Sequence, residues 1–200
     1  MIWFTSDYHL DHKNILEYSN RPFSTVEEMN EVIIGNCNDL VYPNDDLIYL
    51  GDFAFNKSID RILELRRKIR CRKLYFIFGN HDKLIRKNAG KLFPDFQIWG
   101  DYAEETLVIP KNGGEKKLFV LSHYAFRTWN KSHYGSYQLY GHSHGSLPDD
   151  PNSLSFDVGV DCHDYKPINI DRVVEIMNKK TWKPIDHHGK REIDKGKFRG

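Results

Sequence analysis

Cysteine is scarce in this chain, and long apolar runs are missing altogether. The three cysteines, Cys37, Cys71 and Cys162, are odd in number and scattered. That pattern excludes a disulfide frame, leaves no disulfide-linked partner to expect, and fits the reduced thiols of a cytoplasmic protein. None has metal-ligand spacing, so a structural zinc protein is excluded as well. No hydrophobic stretch reaches bilayer length, so no membrane partner is expected. Met1-Ile2-Trp3-Phe4 runs straight into polar residues, and no secretory leader is expected either. A surplus of either charge is lacking too. The net charge is +1, so the overall field does not announce a nucleic-acid partner. Internal repeats and low-complexity segments are absent.

What is present describes a soluble globular protein. Of the 200 residues, 40% are hydrophobic and 28% charged. This is enough chain to bury a core without covalent staples. We read one domain over residues 1–182 and a charged tail over 183–200. The tail holds six Lys or Arg and three Asp or Glu, and reads as frayed and solvated rather than as a phosphate-binding arm.

The first half alternates strands and helices. Ile2 to Ser6 reads as a buried strand that ends at Asp7-Tyr8-His9. Ser24-Thr25-Val26-Glu27-Glu28 has the capping-box pattern and opens a helix to about Cys37, with Met29, Val32, Ile33 and Asn36 at helical spacing. After a loop at residues 38–45, Leu47 to Leu50 forms a strand ending at Gly51-Asp52. An amphipathic helix carries Ile59, Ile62, Leu63, Leu65 and Ile69, and Leu74 to Phe78 returns as a strand ending at Gly79-Asn80-His81-Asp82. Asp82 is placed to cap a helix over Lys83 to Ala89. Helix-linked strands of this kind are parallel, and their ends lie side by side. Asp7, Asp52 and Asn80 are therefore expected to converge. The basic run over residues 66–73 reads as charge at a helix C-terminus. A five-residue strand spans roughly 17 Å, which puts that run at the opposite end from the polar loops.

The second half looks hairpin-linked. One or two strands lie over residues 96–109, and Pro110 to Glu115 is a turn. A strand over Lys117 to Leu121 ends at Ser122-His123-Tyr124. Gln138 to Tyr140 leads into Gly141-His142-Ser143-His144-Gly145. In extended chain, residues two apart point the same way, so His142 and His144 can face one point, as can Asp7 and His9. Ser155 to Val160 reads as a further strand. Ile168 to Met177 reads as a strand end plus a short helix capped by Asn169 or Asp171. Two packed sheets with helices outside are expected.

Any one of these polar clusters is an ordinary turn when taken alone. Together they deliver four imidazoles, two carboxylates and one amide: Asp7, His9, Asp52, Asn80, His123, His142 and His144. Seven donors are too many for one ion and suit two with a shared carboxylate. Two divalent ions against two aspartates leave positive charge, which attracts an anion such as a phosphate. Mixed nitrogen and oxygen donors accept manganese, our first choice, as well as iron, zinc, nickel or cobalt.

Asp7-x-His9, Gly51-Asp52, Gly79-Asn80-His81-Asp82, His123 and Gly141-His142-x-His144 resemble the five ordered motifs of the calcineurin-like metallophosphoesterase superfamily. The resemblance implies a four-layer αββα sandwich of two packed mixed sheets with flanking helices. It implies that Asp7, His9 and His144 hold one metal, that Asn80, His123 and His142 hold the other, and that Asp52 bridges them. It implies in-line attack by a hydroxide lying between the metals, with His81 assisting the leaving group. The expected substrate is a phosphoester, with nucleotides and nucleic acids among the candidates and phosphodiesters favoured over monoesters.

One departure is plain. Protein Ser/Thr phosphatases of this superfamily extend the second motif to Gly-Asp-x-x-Asp-Arg, whereas here Gly51-Asp52 is followed by Phe53-Ala54-Phe55-Asn56. The acidic partner of the catalytic histidine and the phosphate-gripping arginine are both missing, which argues against protein phosphatase activity. Arg127 is a candidate replacement, and His12 and Asn14 are candidate substrate contacts. His133, His163, His187 and His188 match no motif and read as surface residues. A non-catalytic scaffold on the same fold is the other reading. Such relatives lack ligands or the catalytic histidine, and all of these are present here.

Overall fold

Alternation along the first strands decides which side chain meets which core. The structure is a computed structural model and describes residues 1–185. Most of the expected tail, with His187 and His188, lies outside the described residues. Strands β1 (Ile2–Thr5), β2 (Asp46–Tyr49), β3 (Lys73–Ile77) and β4 (Gln97–Gly100) are parallel neighbours. Trp3, Leu47, Tyr49, Leu74 and Phe76 point into one apolar cluster, and Phe4, Ile48 and Ile77 into a second. Both faces of this sheet are buried, which is why its strands read as near-continuous apolar runs.

The second sheet holds β5 (Tyr102–Ile109), β6 (Glu115–Ser122), β7 (Tyr137–Tyr140) and β8 (Ser155–Asp157), in that order. β5 and β6 form the expected hairpin, and β6, β7 and β8 run parallel. The short strand β9 (Ile168–Asn169) joins the first sheet antiparallel to β1. Both sheets are therefore mixed. Phe119, Leu121, Leu139 and Phe156 meet Phe4, Ile48 and Ile77 between them.

Among the helices are α1 (Ile15–Tyr18), α2 (Val26–Leu40), α3 (Ile59–Lys68), α4 (Lys83–Lys87) and α5 (Ile170–Met177). α2 and α3 pack on the outer side of the first sheet through Met29, Ile33, Cys37, Ile62 and Leu65. α5 adds Val173, Val174 and Met177 to the core between the sheets. The architecture is the expected α/β sandwich. Among the described residues no helix is long and apolar enough to cross a membrane.

Three local expectations change. α2 runs on to Leu40, and its buried side is Met29, Ile33 and Cys37 flanked by Asn30 and Ile34, which leaves Val32 exposed. Thr25 caps that helix by accepting from Glu28 N at 3.1 Å, while Glu28 reaches back to Ser24 N rather than to the cap residue's own amide. Asp82 does not cap α4, because its carboxylate is drawn toward the polar loops instead. The basic run is surface charge at the far strand ends, with one exception. Arg66 is buried and donates to the carbonyls of Ile69, Cys71 and Asp95, which closes the C-terminal end of α3.

Candidate metal centre

The loops after the parallel strands are stitched to one another by their backbones. Asp7 N donates to Gly51 O at 3.0 Å, and His9 N donates to Asp52 O at 3.1 Å. Gly51 has φ +93°, and a Cβ there would lie 2.5 Å from Gly79 N and 2.7 Å from the His123 ring, so the close approach of three loops requires glycine. Five of the seven donor residues, Asp7, His9, Asp52, His142 and His144, have positive φ. Non-glycine residues seldom adopt that region, and such strain concentrates at functional sites.

All seven sequence-predicted donors come together. Asp7, His9 and His144 form one cluster, and Asp52, His123 and His142 a second; within each, the donor atoms lie within 4.8 Å of one another. Asn80 Oδ1 is 3.0 Å from both His123 Nε2 and His142 Nδ1, so Asn80 joins the second cluster. Asp52 Oδ2 lies between the two, 3.5 Å from His9 Nε2 and 3.4 Å from His123 Nε2. His81 stands beside them. Its amide donates to Asp52 Oδ1 at 2.8 Å, and its ring centroid is 5.3 Å from that of His9.

The electrostatics of this pocket call for cations. Asp7 Oδ1 and His9 Nε2 are buried, and each lacks a hydrogen-bond partner, although buried polar atoms are costly when unmet. Burial pushes the Asp7 carboxyl up to about 7 and the His9 imidazole down to about 2, which keeps the His9 lone pair free. Burial would also raise Asp52, but the hydrogen bond and charge of His123, with the charge of His9, hold it down at about 2. Burial opposes a charged His123, yet the carboxylates of Asp52 and Asp7 lift it to about 9. The carboxylates thus draw a proton where a cation would serve. Orphaned lone pairs, a neutral His9 imidazole and a shared ionised carboxylate fit a pair of divalent ions.

The imidazoles are aimed by partners that sequence reasoning missed. His144 Nδ1 is 2.7 Å from Asp161 Oδ2, and both Asp161 oxygens are gripped by Arg21 at 2.8 Å. Arg21 also donates to the carbonyls of Asp7 and Tyr8, so one buried guanidinium ties the first loop to His144. His123 Nδ1–H donates to Leu50 O at 2.8 Å, which turns Nε2 toward Asp52. His9 Nδ1 is 3.1 Å from His12 Nδ1. Asp82 accepts from Gly79 N, Asp52 N and Phe53 N at 2.7–3.0 Å and so locks the second and third loops together. These outer contacts fix ring orientation and tautomer. Asp161 carries a signal that was available: like Asp7 and Asp52, it is a carboxylate just beyond an apolar strand run.

Other expectations fare differently. His12 and Asn14 line the pocket of about 730 Å³ beside the donor clusters, together with His81, Phe55 and Tyr18. Arg127 does not. It is exposed and lines a separate groove with Trp129, Tyr140 and Trp182. His163 is half-buried, with Nε2 2.9 Å from Asp157 O, and is not a surface residue.

An α/β sandwich with two adjoining donor clusters at its strand ends defines a class of metal-dependent phosphoester hydrolases. The chain belongs to the calcineurin-like phosphoesterase family, whose profile matches residues 1–192. It is 31% identical over 183 residues to the uncharacterized protein MJ1445 of Methanocaldococcus jannaschii, covering 89% of this chain and 92% of the relative. It is 26% identical over 198 residues to the Gene 66 protein of Mycobacterium phage D29, covering 88% and 96%. A protein of unknown function from Aquifex aeolicus, AQ665, shares the fold, with a TM-score of 0.63, 22% identity and coverage of 88% of this chain and 98% of that one.

Proposed function

We propose that the protein hydrolyses phosphodiesters at a two-metal centre. Asp7, His9 and His144 would hold one ion and Asn80, His123 and His142 the other, with Asp52 placed to serve both. When bound, two divalent ions supply Lewis acidity, a nucleophile at neutral pH and charge to stabilise in-line displacement. Asp52 Oδ2, set between Nε2 of His9 and Nε2 of His123, is the observation that carries this reading. His81 gives its ring proton to the departing oxygen. Its amide is anchored on Asp52, and its exposed ring faces the pocket where that oxygen leaves.

The pocket wall supports the preference for diesters. Its lining, which includes amides, hydroxyls, imidazoles, Asp52 and Phe55, has no Lys or Arg among the described residues. A monoester dianion gains most from added cationic groups, whereas a diester monoanion is matched by the metal pair alone. The free buried thiols of Cys37 and Cys71 are in keeping with a cytoplasmic setting.

The test compares bis-p-nitrophenyl phosphate with p-nitrophenyl phosphate in the presence of Mn²⁺, before and after chelation. The expected result is metal-dependent turnover, faster on the diester. His81→Ala is expected to keep its metals and slow the reaction by roughly 10²- to 10⁴-fold, most for poor leaving groups. Absence of turnover of either ester with two metals bound would overturn the hydrolase reading, and metal loss in His81→Ala would overturn the role given to that side chain.

A further inference from the structure

Part of the pocket wall beside the donor clusters is aromatic and faces water. Phe55 is 50% exposed and Tyr18 is 71% exposed, and both line the same opening. Phe55 stacks on the buried ring of His12 with centroids 4.3 Å apart and planes 25° from parallel. Tyr18 meets the other edge of His12 at 6.3 Å, and His81 meets Phe55 at 5.5 Å, both nearly edge-on. His12 is in turn held by His9 through their Nδ1 atoms. The rings thus form a stepped shelf that starts at His9 and the buried His12 and ends in the exposed Phe55 and Tyr18.

We infer that this shelf binds the base of a nucleoside phosphoester, by stacking on Phe55 with the steeply inclined Tyr18 ring against its edge, while the phosphate sits at the donor clusters. This rests on the phosphoesterase reading and names the substrate class of the same site. Planar heteroaromatic rings stack on exposed aromatic side chains without regard to sequence, and every base offers such a face. An aliphatic alcohol leaves both rings wet. The rim also carries the amides of Asn14 and Asn20, which offer donors and acceptors to base edges. The lack of Lys and Arg among the described lining residues limits the ligand further. A triphosphate or a long strand brings charges for which this pocket has no partner. The fitting ligand has one phosphate at the metals and one base on the shelf.

The test is equilibrium binding of a nucleoside 5′-monophosphate and of ribose 5-phosphate to the Mn²⁺-loaded protein, by calorimetry. The two ligands share phosphate and sugar and differ only in the base. The nucleotide is expected to bind roughly 10- to 100-fold more tightly. That ratio is expected to fall toward one in Phe55→Ala, to drop in part in Tyr18→Ala, and to be kept in Phe55→Trp. Equal affinities in the unaltered protein, or a ratio unchanged in both alanine variants, would overturn the shelf while leaving the hydrolase reading intact. Binding of neither ligand, with no turnover of bis-p-nitrophenyl phosphate, would overturn both.

Discussion

Asp161 reaches the centre through His144, and Arg21 through Asp161 and the carbonyls of Asp7 and Tyr8; the Arg21–Asp161 pair is buried and joins residues 140 positions apart. Replacing Asp161 with Asn removes the charge that Arg21 grips and weakens the bond that aims the His144 ring. We expect Asp161→Asn to lower affinity at the cluster containing Asp7, His9 and His144 by about 10- to 100-fold, read by equilibrium dialysis. Unchanged affinity would show that His144 needs no such support. Asp11 gives a second case. Its carboxylate accepts from Arg61 at 2.9 and 3.1 Å and from Asn30 and Asn56. Burial raises its pKa, but those hydrogen bonds outweigh burial and hold it below the ordinary value. The folded value is thus depressed, so the stabilisation is full above the unfolded carboxyl pKa of about 4 and is lost as pH falls through the folded one. Asp11→Asn is expected to lower Tm at pH 7, with a deficit that shrinks as the pH falls below about 4. A deficit independent of pH would mean that ionisation contributes nothing there.

The seven donors were legible at this scale because each sits just past an apolar strand and four of them fall in x-spaced pairs. Arg21 was not, since no local pattern marks an arginine whose partner lies across the fold. Asp82 was seen but misassigned. Its position before a helix suggested a cap, whereas three loop amides compete for the same carboxylate and win.

At the scale of elements, the turn after β7 is pressed against the loop after β1. A Cβ on Gly141 would collide with Ser6 Oγ and Asp7 Oδ2, and His142 N donates to that same Asp7 oxygen at 2.9 Å. Gly141→Ala is therefore expected to cost about 1–3 kcal/mol of stability, read from denaturant midpoints, and to weaken metal binding as Asp7 is displaced. Unchanged stability and affinity would mean that the two turns are free to separate. Element types were legible from apolar periodicity and capping chemistry: Thr25 and Asn169 cap α2 and α5. The orientation of α2 was less so. Val32 fits the helical period but falls on the water side, because the sheet residues beneath select Met29, Ile33 and Cys37.

Across the whole molecule, the centre is divided between the two sheets. Asp7, His9, Asp52 and Asn80 follow strands of the first, and His123, His142 and His144 follow strands of the second. Ions that bind here bind only the folded chain and clasp its halves. Mn²⁺ at a hundred times its Kd is expected to add about 2.7 kcal/mol and raise Tm accordingly, and chelator is expected to reverse it. The sandwich itself was legible because helix-linked strands precede a hairpin; the expected hairpin linkage stops at β5 and β6, since β6, β7 and β8 run parallel. The course of the chain after Tyr124 was not legible, and so Arg127 was expected beside the donor clusters, whereas it lines a different groove.

The most direct test of the account is anomalous diffraction from crystals grown with Mn²⁺. Two peaks are predicted, one among Asp7, His9 and His144 and one among Asn80, His123 and His142, with the Asp52 carboxylate in contact with both. A single peak, or manganese found only elsewhere on the molecule, would contradict it.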